Sequence, residues 1–277
     1  MTFIMILVSL VIERFFHWTH LRHWRWFLLY QRWLGHSRVA NWSSIFLLIV
    51  SVLPPVLLVG GVNFILSGFL YGIFKIIFGI IILMYCLGPT NLWVQVYTSI
   101  NELYKDDPNV AIEQVTTAFG ISMPDTSQAF HQAFVRAIFI AAYKRVFAVI
   151  FWFALLGPAG ALLYRLIALS ATESPLDVTK LATKSQQVLD WIPVRLFTFI
   201  FALSGHFTNV IAQWKKNLLQ GLDANKTLLT ECGVSALDVL NNNFIPEDGS
   251  AEKEAVALLD RVFVMSLAML AVIVLLM

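Results

Sequence analysis

Residues 39–100 read VANWSSIFLLIVSVLPPVLLVGGVNFILSGFLYGIFKIIFGIIILMYCLGPTNLWVQVYTSI, and Lys75 is the only formally charged residue among them. A soluble domain of ordinary composition cannot build a water-facing surface from such a sequence. Leu, Ile, Val, Phe and Trp dominate it, and about 20 consecutive apolar residues are enough for a helix to cross the hydrocarbon core of a bilayer. The sequence therefore predicts an integral membrane protein.

The composition of the whole chain supports this prediction. Mean hydropathy is +0.75, and 58% of the 277 residues are hydrophobic while only 13% are charged. The charged share is about half of that in ordinary globular domains. The length fits one membrane domain, 1–277, better than separate domains. The two cysteines, Cys86 in an apolar run and Cys232 in a polar segment, do not predict a disulfide framework.

Apolar segments predict an all-α, polytopic membrane bundle of about six spans, joined by short cytoplasmic helices. The first is short, and it could be a tilted span, a half-helix or a span extended through Phe16. It has no basic n-region and no small-residue cleavage site, so we expect a retained span and not a signal peptide. The predicted spans are roughly Thr2–Ile12, Trp42–Gly60, Phe69–Gly88, Val146–Leu169, Trp191–Ile211 and Val262–Met277.

Proline and glycine predict where these helices bend or end. Pro54-Pro55 should kink the second span, and Gly60-Gly61 with Asn63 favours a tight turn after it. Gly157-Pro158-Ala159-Gly160 predicts a break within the fourth span, or a close contact between helices.

Local patterns predict two helices in the connecting segments. Asp125, followed by Gln128 three residues later, predicts the N-cap of a helix that leads into the fourth span. Leu176–Leu189 has an amphipathic pattern, and we expect this helix to end at the kink formed by Asp190–Pro193.

The basic residues predict the orientation of the chain in the membrane. Segments 13–41, 101–145 and 212–261 hold most of the Lys and Arg residues outside the spans. The alternate connections hold none in 61–68, and only Lys180 and Lys184 in 170–190. Because basic loops stay in the cytoplasm, we expect those three segments to be cytoplasmic and both termini to lie outside.

The string DWIPVRL at residues 190–196 is the most specific local pattern, and it lies at the mouth of the fifth span. Pro193 should set the bend, so Asp190 and Arg195 would flank it and could form an ion pair. The alternative is interfacial anchoring, with Trp191 at the level of the lipid headgroups and both charges facing water.

Residues 13–38 mix basic, aromatic and histidine side chains. One hypothesis is a basic helix lying on the anionic inner leaflet. A metal site is another, but His17, His20 and His23 diverge around a helix, and Glu13 is the only nearby carboxylate. A third is an anion site for phosphate or carboxylate, formed by arginines. Those arginines are Arg22, Arg25 and Arg32.

Other charged residues lie in or beside the predicted spans. Lys144 and Arg165 are expected to snorkel at the two ends of the fourth span. Alternatively, Arg145 and Arg195 could face an interior cavity with Glu13 as counter-ion. Lys75 lies either at the membrane interface or within the bundle as a buried cation. A histidine within a span, such as His206, more often forms a helix–helix hydrogen bond than a proton relay. We find no nucleotide-binding, nucleophile-elbow or zinc-protease motif and no fold that binds nucleic acid.

Two segments, read together, resemble one family of bacterial inner-membrane proteins. They are VIERFFHW at residues 11–18, and VLDWIPVRL at residues 188–196 followed by ALSGH at residues 202–206. This pairing, the length and the span layout resemble the AmpE family. The resemblance implies signalling or sensing of cell-wall status linked to β-lactamase induction and the response to antibiotics, because the family is encoded beside an amidase that recycles muropeptides. It implies no cofactor, no metal and no firmly defined chemistry.

AmpE proteins are in turn similar to the adenosylcobinamide-phosphate synthases of cobalamin synthesis (CbiB/CobD). Those enzymes have Pro-Ala-Arg-Leu in the place of residues 193–196, and an acidic residue in the place of Glu13. This chain has FFHWT at residues 15–19 in place of their acidic Gly-Asp-Pro turn. It has AYKRVF at residues 142–147 about where they carry Glu-Asn-Thr-x-Asp-Gly. The loss of these acidic groups argues against amide formation.

Two hypotheses follow from the residues and the resemblance. The first is a non-enzymatic membrane protein that binds the lipid bilayer and an anionic cell-wall fragment, a phosphate ligand, or a membrane or cell-wall recycling protein. The second is a membrane-bound ligase related to the corrinoid enzymes. A transporter is a third, which the lack of an internal repeat disfavours. The candidate ligand-binding residues are Glu13, Arg14, Arg145, Asp190 and Arg195.

Overall fold

A computed structural model of the chain describes residues 2–15, 24–37, 42–66, 68, 72–87, 92–103, 108–122, 126–218, 220–237 and 249–276. Most of these residues are helical, and no β-strand occurs among them. The predicted all-α class is therefore confirmed. The histidines at 17, 20 and 23, and Arg22, lie outside the described residues.

The described residues form twelve α-helices. Helices suit the apolar segments, because a chain in hydrocarbon must satisfy its own backbone hydrogen bonds. A π-helical turn, Tyr143–Phe147, joins the helix that ends at Ala142 to the one that starts at Ala148, and a 3₁₀ turn, Leu222–Ala224, precedes the helix that starts at Asn225. The helices are α1 Thr2–Phe15, α2 Arg25–His36, α3 Ser44–Leu66, α4 Ile73–Cys86, α5 Leu92–Leu103, α6 Pro108–Phe119, α7 Ser127–Ala142, α8 Ala148–Thr172, α9 Thr179–Ser204, α10 Phe207–Asn217, α11 Asn225–Ser235 and α12 Ser250–Leu276.

Each of the six predicted spans corresponds to an apolar helix. Four helical segments are long and apolar enough to cross a membrane, and two apolar helices are shorter. The long ones are Ser44–Leu66, Ser127–Thr172, Thr179–Ser204 and Ser250–Val272, and the shorter ones are Thr2–Glu13 and Ile73–Cys86.

The chain divides into two compact units, and the first comprises Met1–Pro89 and Ala148–Asp190. In this unit α3 and α4 both pack on α8, and α1 packs on α4. Gly79 of α4 permits this packing, because a Cβ there would lie 2.6 Å from the sulfur of Met5, close to the ring of Phe153. The core of the first unit therefore forms around α8.

The predicted break in the fourth span is present in α8. Gly157 has φ 67° and ψ −155°, a combination that is essentially restricted to glycine. A side chain on Gly160 would collide with the backbone of Trp152, eight positions earlier, although such residues lie about 12 Å apart in a straight helix. The two parts of α8 therefore meet at a sharp angle.

Contacts within the first unit bring α2 next to the end of α8. Gln31 Nε2 of α2 donates to Ser170 Oγ over 3.0 Å, and a Cβ on Gly35 would lie 3.1 Å from Leu176. α2 and residues 170–176 therefore lie at the same end of this unit, by the part of α8 that follows the break at Gly157. The sides of the membrane that segments 13–41 and 170–190 face stay a prediction.

The second unit comprises Thr90–Phe147 and Trp191–Met277. Here α7 packs against α11 and α12, and α10 packs against α11. Aromatic rings fill the centre: Phe147 lies 4.4 Å from Phe197, and Phe139 lies 5.2 Å from Phe201, between ring centroids. Gly233 has no room for a Cβ, because the ring of Phe139 covers it.

Several predicted helix ends are wrong. No turn follows Gly60-Gly61, because α3 continues to Leu66. No helix ends at Pro193, because α9 runs through it to Ser204 and proline is tolerated within membrane helices. The N-cap of α7 is Thr126, whose hydroxyl accepts a hydrogen bond from the Ala129 N–H at 3.2 Å, while Asp125 lies outside the described residues.

Two helices also differ from their predicted spans. The last span begins earlier than predicted, because α12 starts at Ser250. His206 does not lie within a span, because it stands between α9 and α10 as the residue preceding Phe207.

Candidate functional site

Arg195 of α9 is buried in the second unit and is held by its surroundings. Its Nε donates to the Leu218 carbonyl at 2.9 Å, and its Nη2 donates to the Gln220 carbonyl at 3.2 Å. Its Nη1 donates to the Trp191 carbonyl at 2.7 Å and to Asn225 Oδ1 at 3.1 Å. The guanidinium also lies 4.1 Å from the centre of the Trp191 ring.

This arrangement fixes the connection between α10 and α11. Arginine carries five N–H donors, and four of them are used here on neutral oxygen atoms. A buried carbonyl oxygen without a donor would be costly, so the guanidinium satisfies a chain segment that is otherwise irregular. One N–H of Nη2 remains for a further acceptor.

Asp190 lies buried in the first unit, on the part of α9 that precedes Trp191. Its Oδ1 accepts a hydrogen bond from the Tyr164 hydroxyl at 2.9 Å, and Tyr164 is itself fully buried. Gln186 hydrogen-bonds the same hydroxyl. The predicted interfacial anchoring of Asp190 in water is wrong, because its side chain is buried.

The remaining predicted site residues lie in different places. Arg145, in the π-helical turn, donates to Gln95 Oε1 at 2.6 Å, and its guanidinium lies 6.0 Å from the centre of the Phe119 ring. Glu13 is half-buried in α1 of the first unit. Arg14 belongs to α1 too, but its side chain lies outside the described residues.

The first unit also contains an arginine whose buried donor has no acceptor. Arg165 lies in the second part of α8, and its guanidinium is 5.9 Å from the centre of the Trp24 ring. The Arg165 Nε atom is buried without a hydrogen-bond partner, and so is Trp24 Nε1. Trp24 packs on the ring of Tyr85 at 4.4 Å between centroids, which fixes its position.

The described residues also include a buried ion pair and two cysteines. His131 Nδ1 of α7 donates to Glu252 Oε1 of α12 at 2.6 Å, and both residues are buried. Cys86 and Cys232 are both free, as predicted. Burial raises the pKa of the Cys232 thiol to about 12, so this thiol stays protonated and unreactive at neutral pH.

Neither Lys75 nor any group of metal-ligating side chains among the described residues forms a further candidate site. Lys75 is half-buried in the first turn of α4, which supports the interface-level alternative. Among the residues described, no group of three His, Cys, Asp or Glu side chains is placed to hold a metal ion.

Comparison with known protein families identifies the chain. The family described as regulatory signalling modulator protein AmpE matches residues 1–277, which is the whole chain. The chain belongs to the AmpE family. No curated protein and no solved structure matches it. The AmpE resemblance of the two short segments is thereby confirmed over the full length.

That Arg165 and Trp24 lie together was not predicted from the sequence of this AmpE chain. Arg165 was expected to snorkel, and Trp24 was one aromatic residue in a basic segment. One signal was present in the sequence: Arg165 is the only formally charged residue between Val146 and Thr172. A single charge within an apolar segment of this length is costly unless it has a partner or a role.

Proposed function

We propose that this protein is a multi-pass protein of the bacterial inner membrane that modulates β-lactamase induction in response to cell-wall status. The match of the AmpE family to residues 1–277 carries the proposal. The apolar helices support a membrane location, because four of them are long enough to cross a bilayer. The signal would enter as an anionic cell-wall fragment, a phosphate ligand or a partner protein.

We propose Glu13, Arg14, Arg145, Asp190 and Arg195 as ligand-binding residues, with Arg195 acting through its remaining N–H. Charged groups within or beside apolar helices are costly, so their presence favours a function that uses them. We further propose that the end of the first unit that carries α2 faces the cytoplasm, because α2 is basic. Segments 101–145 and 212–261 would face the same compartment by the same rule.

The proposal is tested by deleting the gene in its host bacterium and measuring β-lactamase activity after exposure to a β-lactam inducer. We expect the deletion to change induction and the wild-type gene to restore the original response. An Arg145→Gln variant should restore it incompletely, because the neutral side chain loses its attraction for an anion. Lys215→Gln is the matched control, since Lys215 is an exposed cation of α10.

Protein levels in the membrane are measured for every variant, so that poor folding is separated from loss of signalling. Unchanged induction in the deletion strain would contradict the proposed role. A corrinoid assay distinguishes the ligase alternative: the purified protein is incubated with adenosylcobyric acid and aminopropanol phosphate, and products are read by mass spectrometry. Amide product would make the protein an enzyme.

A further inference from the structure

Two buried hydrogen-bond donors at one place in the first unit have no acceptor among the described residues. Trp24 is only 6% exposed, and its indole Nε1 has no acceptor. Arg165 Nε, on the guanidinium 5.9 Å from the same ring, has none either. Buried polar groups of folded proteins almost always have partners, so these two donors indicate an acceptor that the described residues do not provide.

Packed side chains, several of them aromatic, surround these two donors. Trp24 opens the buried face of α2, which continues through Phe27, Gln31 and Leu34. The Gln31 to Ser170 hydrogen bond ties this face to the end of α8. The Tyr85 hydroxyl accepts from Trp26 Nε1 at 2.7 Å, so the aromatic wall on the α4 side is fixed as well. A rigid wall of this kind holds the two donors in one geometry.

The charge at this place decides the class of ligand. Arg165 makes no hydrogen bond or ion pair within the part of the chain that the structure describes, and Glu173, just beyond the end of α8, is the carboxylate that acts on it electrostatically. A guanidinium presents paired N–H donors that match the oxygen atoms of phosphate or carboxylate. An indole N–H adds a neutral donor and no acceptor, which suits an anion better than a cation.

We propose that Arg165 and Trp24 form a binding site for a phosphate group, with Arg165 providing the charge and the indole N–H of Trp24 a further hydrogen bond. The site gives the anionic ligand of the proposed function a place in the first unit, and to that extent it rests on that function. It is separate from the candidate residues Arg145 and Arg195, which belong to the second unit.

The phosphate has two sources that share this chemistry. Arg165 lies seven residues before the end of α8 at Thr172, which is about 10 Å along the helix axis. A phosphate held there is within reach of the headgroup level of a bilayer, so an anionic phospholipid is one source. A soluble phosphate ester that enters from the same end is the other.

The test measures binding by the purified protein directly. Thermal unfolding in a neutral detergent is followed while inorganic phosphate is added at constant ionic strength, with chloride as the reference anion. A bound ligand stabilises the folded state in proportion to its occupancy, so we expect a saturable rise in Tm. Arg165→Gln should weaken binding about tenfold or more, and Trp24→Phe should weaken it about threefold to tenfold.

The control and the second variant keep the test decisive. Arg136→Gln removes a cation of the second unit that pairs with Glu231, and it should leave phosphate binding unchanged. Trp24→Phe retains an aromatic ring, although a smaller one, and removes the N–H, so it remains informative if Arg165→Gln fails to fold. A phosphate response that is equal in wild type and Trp24→Phe would overturn the proposed indole contact.

A lipid arm distinguishes the two sources. Native mass spectrometry is carried out on protein from nanodiscs of phosphatidylcholine alone or with phosphatidylglycerol. Retention of phosphatidylglycerol that is lost in Arg165→Gln, without a response to free phosphate, assigns the site to lipid; the reverse assigns it to a soluble ester. No binding in either arm overturns the site. Failure of the signalling role would appear separately, as unchanged β-lactamase induction in a deletion strain whose purified protein still binds phosphate.

Discussion

Arg195 in the second unit and Arg165 in the first are the same kind of residue in the same kind of apolar helix, yet their surroundings are opposite. Arg195 donates four hydrogen bonds to neutral oxygen atoms of nearby residues. Arg165 has a buried Nε without an acceptor and contacts the ring of Trp24. The partners of a buried cation thus show how many of its donors the fold occupies: four of the five in Arg195, while the buried Nε of Arg165 has no acceptor.

The same difference extends to other buried polar atoms. Among the described residues of the first unit, unpartnered buried atoms belong to Trp24, Gln31, Asn63, Trp152 and Arg165. In the described part of the second unit they belong to Arg136 and Glu252, and both of these side chains pair through another atom. The described part of the second unit therefore satisfies its own polar groups more completely.

The largest expected effect is on Arg195. Arg195→Leu should lower the free energy of unfolding by about 4 kcal/mol, because Asn225 Oδ1 and the carbonyl groups of Leu218 and Gln220 lose the donors of the guanidinium. The measurement is unfolding of the purified protein by sodium dodecyl sulfate in mixed micelles. A loss below about 1 kcal/mol would show that water replaces the guanidinium and that Arg195 does not hold this segment.

The second prediction concerns the buried pair of the second unit. Glu252→Ala leaves His131 without its 2.6 Å partner, so we expect a loss of about 3 kcal/mol in the same unfolding assay. Lys253→Ala is the matched control, since Lys253 is the next residue of α12 and is exposed. Equal stability of the two variants would mean that the buried pair does not stabilise the second unit, and the contrast in hydrogen-bond satisfaction between the two units would lose its energetic meaning.

The sequence predicts the apolar helices and the break at Gly157 because both depend on local composition. It does not predict the partners of Arg195, because backbone carbonyl groups at positions 218 and 220 have no residue-type signature and lie more than twenty positions away. The role of Arg165 was missed for a related reason. Snorkelling is the ordinary expectation near a span end, and only the packing of α2 on the end of α8 brings Trp24 over that arginine.

The third prediction concerns the bend that directs the part of α8 carrying Arg165. Gly157→Ala should lower the free energy of unfolding by about 2 kcal/mol, because φ 67° with ψ −155° is strained for any residue with a Cβ. No atom lies within 4 Å of the added methyl group, so the cost comes from the backbone alone. Gly61→Ala in α3 also meets open space, but within an ordinary helix, and it should gain about 0.5–1 kcal/mol.

Opposite signs for these two glycine variants would support a bend that is fixed by backbone geometry. If Gly157→Ala is as well tolerated as Gly61→Ala, α8 can straighten, and the placement of Arg165 beside Trp24 would not be imposed by the bend. The phosphate response of Gly157→Ala then tells whether the site survives such a change.

The smallest expected effect is on Arg165, and it reverses the result for Arg195. Arg165→Leu should change the free energy of unfolding by less than about 1 kcal/mol in ligand-free detergent, and any change should be towards greater stability. The guanidinium gives up its contact with Trp24 and its attraction to Glu173, while an apolar side chain avoids the cost of a buried donor without an acceptor. Adding phosphate should then stabilise the wild type and not the variant. A loss as large as that of Arg195→Leu would mean that Arg165 also stabilises the fold. The two arginines would then differ in their partners but not in their contribution to stability.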